Sequence, residues 1–388
     1  MVSDYQRAFG RALGVEYLAE FDTVLVDLLS YGGSFVALDG ARIVGTLGAY
    51  RFGLSSPGGG DLDAAGTTVV GVLPTHRRQG ILRSLMSAHL GWARELGLDA
   101  VGLWASEPGI YPRFGFGLAA RRGAWSVQTA GLDIGEENSP YRLTYEDLPS
   151  PRARELYEAH RKDRAGVLSR SEAWWSHRRW SDLPVRKGSF GAVQLVIAER
   201  EGRAEAYVQF RRRSVWQDGL AQDVVSVEEL VGMPAARRAL WRFLVNMDLV
   251  AELVSINLPV DEPLPWLIGH HRGARLYQED SLWLCPLDLI RFLEARRYSS
   301  EGALVLEVRG ANLGPIALEV FGGSAAATER SGPADISLDR TDLPALVWGE
   351  VSASLLADAG RLQGDPCAIE RADQLFMTPR RPWCSERF

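Results

Sequence analysis

The sequence predicts an α/β protein of three domains, the second a duplicate of the first, and three observations predict it. Two β-rich runs meet at Asp39-Gly40, and an apolar run at 67–73 leads through a turn into a helical repeat and a short apolar run. That order returns further along: Gly40 to Pro74 is 34 residues and Gly202 to Pro234 is 32, the mark of an internal repeat. After Cys285 the pattern changes to helices among alternating strands, an α+β arrangement. At roughly 150 residues per domain, a chain of 388 residues has room for two to three.

Each element has a local reason. Asp39-Gly40 tolerates the positive φ angles of a tight turn, so residues 34–52 read as a hairpin. A Gly/Ser/Pro-rich loop is expected over 54–63. Ile81, Leu85, Ala88 and Trp92 recur at helical spacing, which predicts a helix over 81–96. Residues 99–105 read as a buried strand that runs into a loop punctuated by Gly and Pro at 106–117. The polar stretch 133–140 reads as a linker. In the repeat, 192–210 is strand, Glu-Gly turn, strand; 224–231 is β-rich; and Gly232-Met233-Pro234 opens a helix expected over 239–250. In the last third, helices are expected at 288–297, 342–359 and 366–376, and strands at 303–308, 316–321 and 335–338. The expected domains are 1–132, 141–285 and 286–388.

Composition removes several classes of function. Hydrophobic residues at 46% and charged residues at 24% are those of an ordinary folded protein. Lys and Arg number 43 against 49 Asp and Glu, and a net charge of −6 gives no general attraction for a nucleic-acid backbone. No uncharged apolar run approaches the ~18 residues that would cross a bilayer. The first ten residues, MVSDYQRAFG, lack the apolar core of a signal peptide, so a cytoplasmic, membrane-free protein is expected. Cys285, Cys367 and Cys384 are odd in number and lack metal-ligand spacing, which argues against a disulfide framework or a bound metal.

The informative stretch is 69–83, VVGVLPTHRRQGILR. A strand that ends in a turn at a helix N-terminus is an anion site, because unpaired amides and the positive end of the helix dipole converge there. Gly80 lets the backbone approach an anion closely, and Arg77, Arg78 and Arg83 can add charge-assisted contacts. A surface turn with solvated arginines has the same spacing.

Arg77-Arg78-Gln79-Gly80-Ile81-Leu82 resembles the pyrophosphate loop of GNAT acyltransferases, with Leu82 in place of a small last residue. Together with residues 74–80, 105–117 and 282–284, it is similar to the enhanced-intracellular-survival (Eis) branch. Residues 334–338 and 355–365 resemble a sterol-carrier pattern. The resemblance implies tandem GNAT folds, the second degenerate, and a C-terminal sterol-carrier-like α+β domain. It implies acetyl-CoA along Val70, Gly71 and Val72, across Arg78, Gln79, Gly80, Ile81, Leu82 and Arg83, and touching Ser106 and Glu107. Tyr111 matches the general acid for the leaving thiolate, and the α-carboxylate of Phe388 matches the general base. An amide N–H near Val72 would serve the oxyanion. The implied acceptor is an amine of a small molecule, aminoglycoside-like or another amine metabolite, and the implied assembly is a homohexamer. Arg387 stands where aminoglycoside-acetylating relatives carry an acidic residue. It points instead to an amine of lower charge or one with its own carboxylate; Glu20, Asp22 and Glu107 are further sources of negative charge.

Other residues have simpler readings. His76 is expected in a loop, His270-His271 lacks metal-ligand company, and Arg211-Arg212-Arg213 reads as a solvated strand edge. Trp174, Trp175 and Trp180 are expected to pack a core or an interdomain contact. Two rival functions remain at this point: a lipid- or small-molecule-binding protein, and a non-catalytic interaction module that binds CoA.

Overall fold

β1 (Gly33–Asp39) and β2 (Arg42–Ser55) form the expected hairpin in a computed structural model of the chain, which describes residues 33–132, 134, 139–183 and 188–388. Glu20, Asp22, the first ten residues and most of the linker 133–140 lie outside the described residues. Asp39 pairs with Arg42, and Gly40 between them takes φ +58°, where a side chain would be strained. β2 turns into β3 (Asp61–Val72) with Leu54 opposite Leu62, so the loop expected over 54–63 shrinks to residues 56–60. Both leucines are buried, and strand pairing satisfies the backbone that a loop would leave unbonded there. Helix α1 (Ile81–Glu95) leads to β4 (Ala100–Trp104), which lies parallel to β3. On the other side of β4, residues 282–286 of the strand Ala274–Pro286 pair antiparallel with it. α1 sets Leu85, Met86, Leu90 and Ala93 against Leu47, Ala65, Val101 and Leu103, and each buried leucine contributes about 1.5–3 kcal/mol.

The chain divides into two compact units. One joins the described residues up to Ala120 with Arg164–Ala173 and Asp280–Phe388; the other comprises Arg121–Asp163 and Trp174–Glu279. In the second unit the strands run in the order Gly117–Gln128 (from Gly123 onward), Val250–Leu258, Asp223–Gly232, Arg203–Arg213, Gln194–Arg200 and Arg142–Tyr145. The repeated hairpin is present, with Glu201 at φ +52° and Gly202 at φ +78°. The helix expected over 239–250 is in fact Pro234–Val245. Proline is preorganised for the first helical position, and Val250 is taken by the next strand. Trp174 and Trp175 are buried, with the Trp175 ring 4.9 Å from that of Trp180, as expected of a core.

Arg211-Arg212-Arg213 corrects the expectation of a solvated edge. At the arginines their strand pairs with Asp223–Gly232 on one side, and on the other Gly191 N–H donates to the Arg212 carbonyl at 2.8 Å. Arg211 is 2% exposed and donates to the Glu228 carboxylate at 2.7 Å, to the Asp182 carboxylate, and to the carbonyl of Ser181 at 2.8 Å. Arg212 donates to Asp223 at 2.7 Å.

In the last third of the first unit, five strands run in the order Ser324–Glu329, Ile316–Phe321, Gly302–Arg309, Ile336–Asp339 and Leu362–Gly364. The first and last of these are absent from the sequence reading, since SAAATE and LQG carry little β-branched signal. Asp288, Ser352 and Asp365 cap the helices Leu289–Glu294, Ala353–Asp358 and Pro366–Phe376. The helix expected over 342–359 is two, Leu343–Val347 and Ala353–Asp358, parted near Gly349 at φ +75°.

Arg296, 1% exposed, ties these helices together. Its guanidinium donates to the Val347 carbonyl at 2.6 Å and to those of Leu375 and Met377 at 3.4 Å, at the C-terminal ends of two helices. Tyr298 and Phe376 present their rings at 4.5 and 5.4 Å. Burial lowers its pKa to about 10, so it remains charged at neutral pH. Arg296→Met leaves these carbonyls without their donor and is expected to cost about 3 kcal/mol. Urea denaturation checks this as a fall in midpoint at unchanged slope.

Candidate active site

β3 outruns its parallel partner. Pairing with β4 extends from Ala64–Ala100 to Thr67–Leu103, and β3 continues five residues further, to Val72. On its other edge the register with β2 shifts opposite Leu47, where Val69 takes φ +45° and its carbonyl accepts from the Thr46 hydroxyl at 2.9 Å. A bulge of this kind bends the strand away from its neighbour. Among the described strands, none pairs with the β4-facing edge of Val70, Gly71 and Val72. An extended, amide-bearing ligand can add there as a strand would.

At the end of that edge the backbone forms a cradle. After the turn Pro74–His76, Arg78 takes φ +63° and Gly80 φ +84°, and α1 begins with no side-chain cap. Left-handed residues of this sort gather successive N–H groups into an anion-binding concavity. A Cβ built at Gly80 meets nothing within 4 Å, so the space before it is open. The amides of Ile81, Leu82 and Arg83 form the first turn of α1; Arg78, Gln79 and Arg83 are exposed around them, while Leu82 is half-buried. Edge and cradle together fit a pantetheine arm and its pyrophosphate. His76 stays in the loop, 2.8 Å from the Thr75 hydroxyl and 3.3 Å from the Asp39 carboxylate.

Beyond β4, Ser106 and Glu107 lead into two short turns, Pro108–Ile110 and Pro112–Phe114, with Tyr111 between them. Tyr111 is buried and packs edge-on against Phe116 at 6.0 Å, in the same core as Leu85 and Met86. Burial pushes its phenol above the ordinary range; Glu107 adds to this and the Ser106 hydroxyl opposes it. The group therefore holds its proton at neutral pH. Thr67, the last β3 residue paired with β4, meets His89 of α1, with 3.0 Å between Oγ1 and Nε2. The imidazole lies between Phe35 and Trp92, and burial lowers its pKa to about 4.

Phe388 arrives on the opposite face. Side chains alternate across a strand, so Gly66 faces away from the α1 side that Thr67 faces. A Cβ on Gly66 would stand 2.8 Å from the Phe388 ring, and that ring lies 5.3 Å from the ring of Phe52. Phe388 is thus seated one residue before β3 parts from β4. Residues 377–388 have neither helix nor strand, and Arg387 is exposed while Phe388 is buried. The tail rests on the crossover segment: Trp383 N–H donates to the Ala165 carbonyl at 2.9 Å, and Arg170 is ion-paired with Glu386. Sequence reasoning missed Gly66, Phe52, Arg170 and Glu386. The run Ala64-Ala65-Gly66 inside a strand is the one available signal, since small residues there mark a close approach.

The second copy keeps the layout without the cradle. Its helix opens with Pro234, which has no N–H, and Arg237 near its start is paired to Glu262. Its strand Asp223–Gly232 buries Glu229 completely, bonded to the Tyr207 hydroxyl at 2.6 Å.

Family models match three stretches of the chain. The acetyltransferase (GNAT) domain matches residues 2–119 and again 166–284, and the sterol carrier protein domain matches 289–385. An uncharacterized N-acetyltransferase of Streptomyces griseus is 33% identical over 91% of this chain and 88% of its own length. The N-acetyltransferase Eis of Mycobacterium tuberculosis (strain H37Ra) is 32% identical over 90% of this chain and 88% of its own. Among solved structures, Eis1 from Mycobacterium abscessus superposes with a TM-score of 0.84 at 27% identity, covering 100% of this chain and 98% of that one.

His89 carries a pH signature. The unfolded chain takes up a proton near pH 6.5 and the folded protein only near pH 4, so stability is lost as pH falls through that interval. The expected slope is about 1.4 kcal/mol per pH unit. Urea titrations at pH 7 and pH 4.5 should show a smaller loss for His89→Phe than for the parent.

Proposed function

Because this chain belongs to the Eis-like GNAT N-acetyltransferases, we propose that it transfers the acetyl group of acetyl-CoA to an amine of a small molecule by direct attack. The amine nitrogen forms the new bond to the acetyl carbon as the carbon–sulfur bond breaks. The Phe388 α-carboxylate takes the amine proton, and the Tyr111 phenol gives its proton to the leaving thiolate. The backbone N–H near Val72 faces the oxyanion. Val70, Gly71 and Val72 receive the pantetheine; Arg78, Gln79, Gly80, Ile81, Leu82 and Arg83 cradle the pyrophosphate; and Ser106 and Glu107 border the thioester end. In the same reading, residues 1–132 are catalytic, 141–285 form the degenerate GNAT domain and 286–388 present the terminus, in a cytoplasmic homohexamer. Among the described residues, no helix is long and apolar enough to cross a membrane.

One observation carries the reading: the burial of Phe388 against Gly66, where β3 leaves β4. A solvated terminus would have no reason to meet a strand glycine on a sheet face. Tyr111 supports it from the other side of the chemistry, as a buried phenol that burial keeps protonated. For the acceptor, Arg387 next to the base disfavours a polycation and favours an amine of lower charge or one with its own carboxylate.

Thiol release from acetyl-CoA across aminoglycosides, polyamines, amino acids and short lysine peptides tests the activity and finds the acceptor class. Tyr111→Phe, and one alanine appended after Phe388, are each expected to lower turnover about 100-fold or more. Activity that survives the appended alanine sinks the terminal base. Tight coenzyme A binding with no release for any amine favours the non-catalytic alternative. Gly80→Val forces a branched side chain into left-handed backbone at about 1–2 kcal/mol, and calorimetry should find coenzyme A binding weakened roughly tenfold.

A further inference from the structure

We propose that Arg170 is a positioning residue that seats the C-terminal tail through Glu386 and so holds the Phe388 carboxylate over β3. This role rests on the reading of that carboxylate as the base. Arg170 belongs to the crossover segment Arg164–Ala173, which lies in the first unit although the chain on either side of it lies in the second. Among the described residues β1 pairs with β2 as far as Ala49, and the crossover lies along the same strand further on, at Gly53–Ser55. Gly166 N–H donates to the Ser55 carbonyl at 2.8 Å, Ser55 N–H to that of Val167 at 2.9 Å, and Ser169 N–H to that of Gly53 at 2.8 Å. The segment is thereby part of the β2 edge, and a fixed platform.

The tail lies on that platform. Trp383 N–H donates to the Ala165 carbonyl at 2.9 Å, and Arg164 donates to the Arg381 carbonyl at 2.6 Å. A Cβ on Gly166 would stand 2.8 Å from the Trp383 carbonyl oxygen, so the two backbones touch. Closer to the terminus, Arg170 Nε donates to Glu386 Oε1 at 2.6 Å, with side-chain exposures of 0% and 5%. Two charges withdrawn this far from water need compensation, and here each compensates the other. Glu386 stands two residues before Phe388, and unpaired it would draw in water and repel a second carboxylate nearby. Paired, it pins the strap at the point where it must deliver its last residue.

Kinetics and digestion of the full chain test this together. Arg170→Met should lower kcat on the order of 100-fold, with the KM for acetyl-CoA unchanged because the coenzyme's residues lie elsewhere on β3 and α1. Carboxypeptidase A should release Phe388 about tenfold faster or more from that variant than from the parent, read by mass. Arg170→Lys should recover part of kcat. Arg170→Met with Glu386→Leu removes both buried charges and should restore protection of Phe388. Unchanged kcat and unchanged protection in Arg170→Met overturn the role. Faster release with unchanged kcat leaves the seat standing and removes the carboxylate from catalysis. Should Arg170→Met not fold, Glu386→Gln breaks the same pair, and unchanged release there is equally fatal.

Discussion

Pairing between β3 and β4 stops at Thr67–Leu103, and much of the molecule is arranged around that stop. Below it, β3 is held on both edges and packs against α1. Above it, a bulge at Val69 bends the strand, and among the described strands none pairs with its β4-facing edge. The same strand then delivers the chain to the uncapped start of α1, so edge amides and helix-terminal amides follow one another along a single path. Thr67 holds the stop from the helix side through His89, and Phe388 covers the adjacent residue, Gly66, from the other. A glycine suits that position for a plain reason: any side chain would occupy the space of the ring.

The first unit is assembled from three separate stretches of chain, and polar contacts between them are charged or directional. Asp99 accepts from Asp63 N–H at 2.9 Å and is ion-paired with Arg291, while Ser56 donates to the Ala295 carbonyl at 2.6 Å. Hydrophobic burial is indifferent to direction, whereas bonds of this kind fix how one stretch lies on another. That matters for a tail without secondary structure of its own. Its start is fixed where Arg296 gathers the helix-end carbonyls, its middle by the crossover, and its end by Arg170.

Duplication has left two runs of strands of similar plan with different fillings. In the first copy, the strand before the helix carries Ala64, Ala65 and Gly66, small residues that leave room on its face. The strand before the second copy's helix buries Glu229 with Tyr207, and its half-buried Glu228 accepts from Arg211 and Gln209. Polar networks of this sort fill space that a ligand would need. The second copy lost its cradle as well, with Pro234 at the helix start in place of open amides.

What the sequence by itself determined was local. Both hairpins were legible at Asp39-Gly40 and Glu201-Gly202, because turn residues declare their φ preferences without help from elsewhere. The start of α1 at Ile81 followed from the helical spacing of its apolar residues, and the loop pattern around Gly80 and Tyr111 carried the family resemblance. Tertiary structure alone decided the rest. Arg211 reads as a surface cation until the paired strand Asp223–Gly232, the Glu228 and Asp182 carboxylates and the Ser181 carbonyl enclose it. Arg170 and Glu386 are 216 positions apart and have no local pattern that would join them. Phe388 looks like any frayed end until Gly66 and Phe52 receive it. Turns and helix ends are set by energies within a few residues, whereas burial and ion pairing belong to whichever distant segments the folded chain brings together.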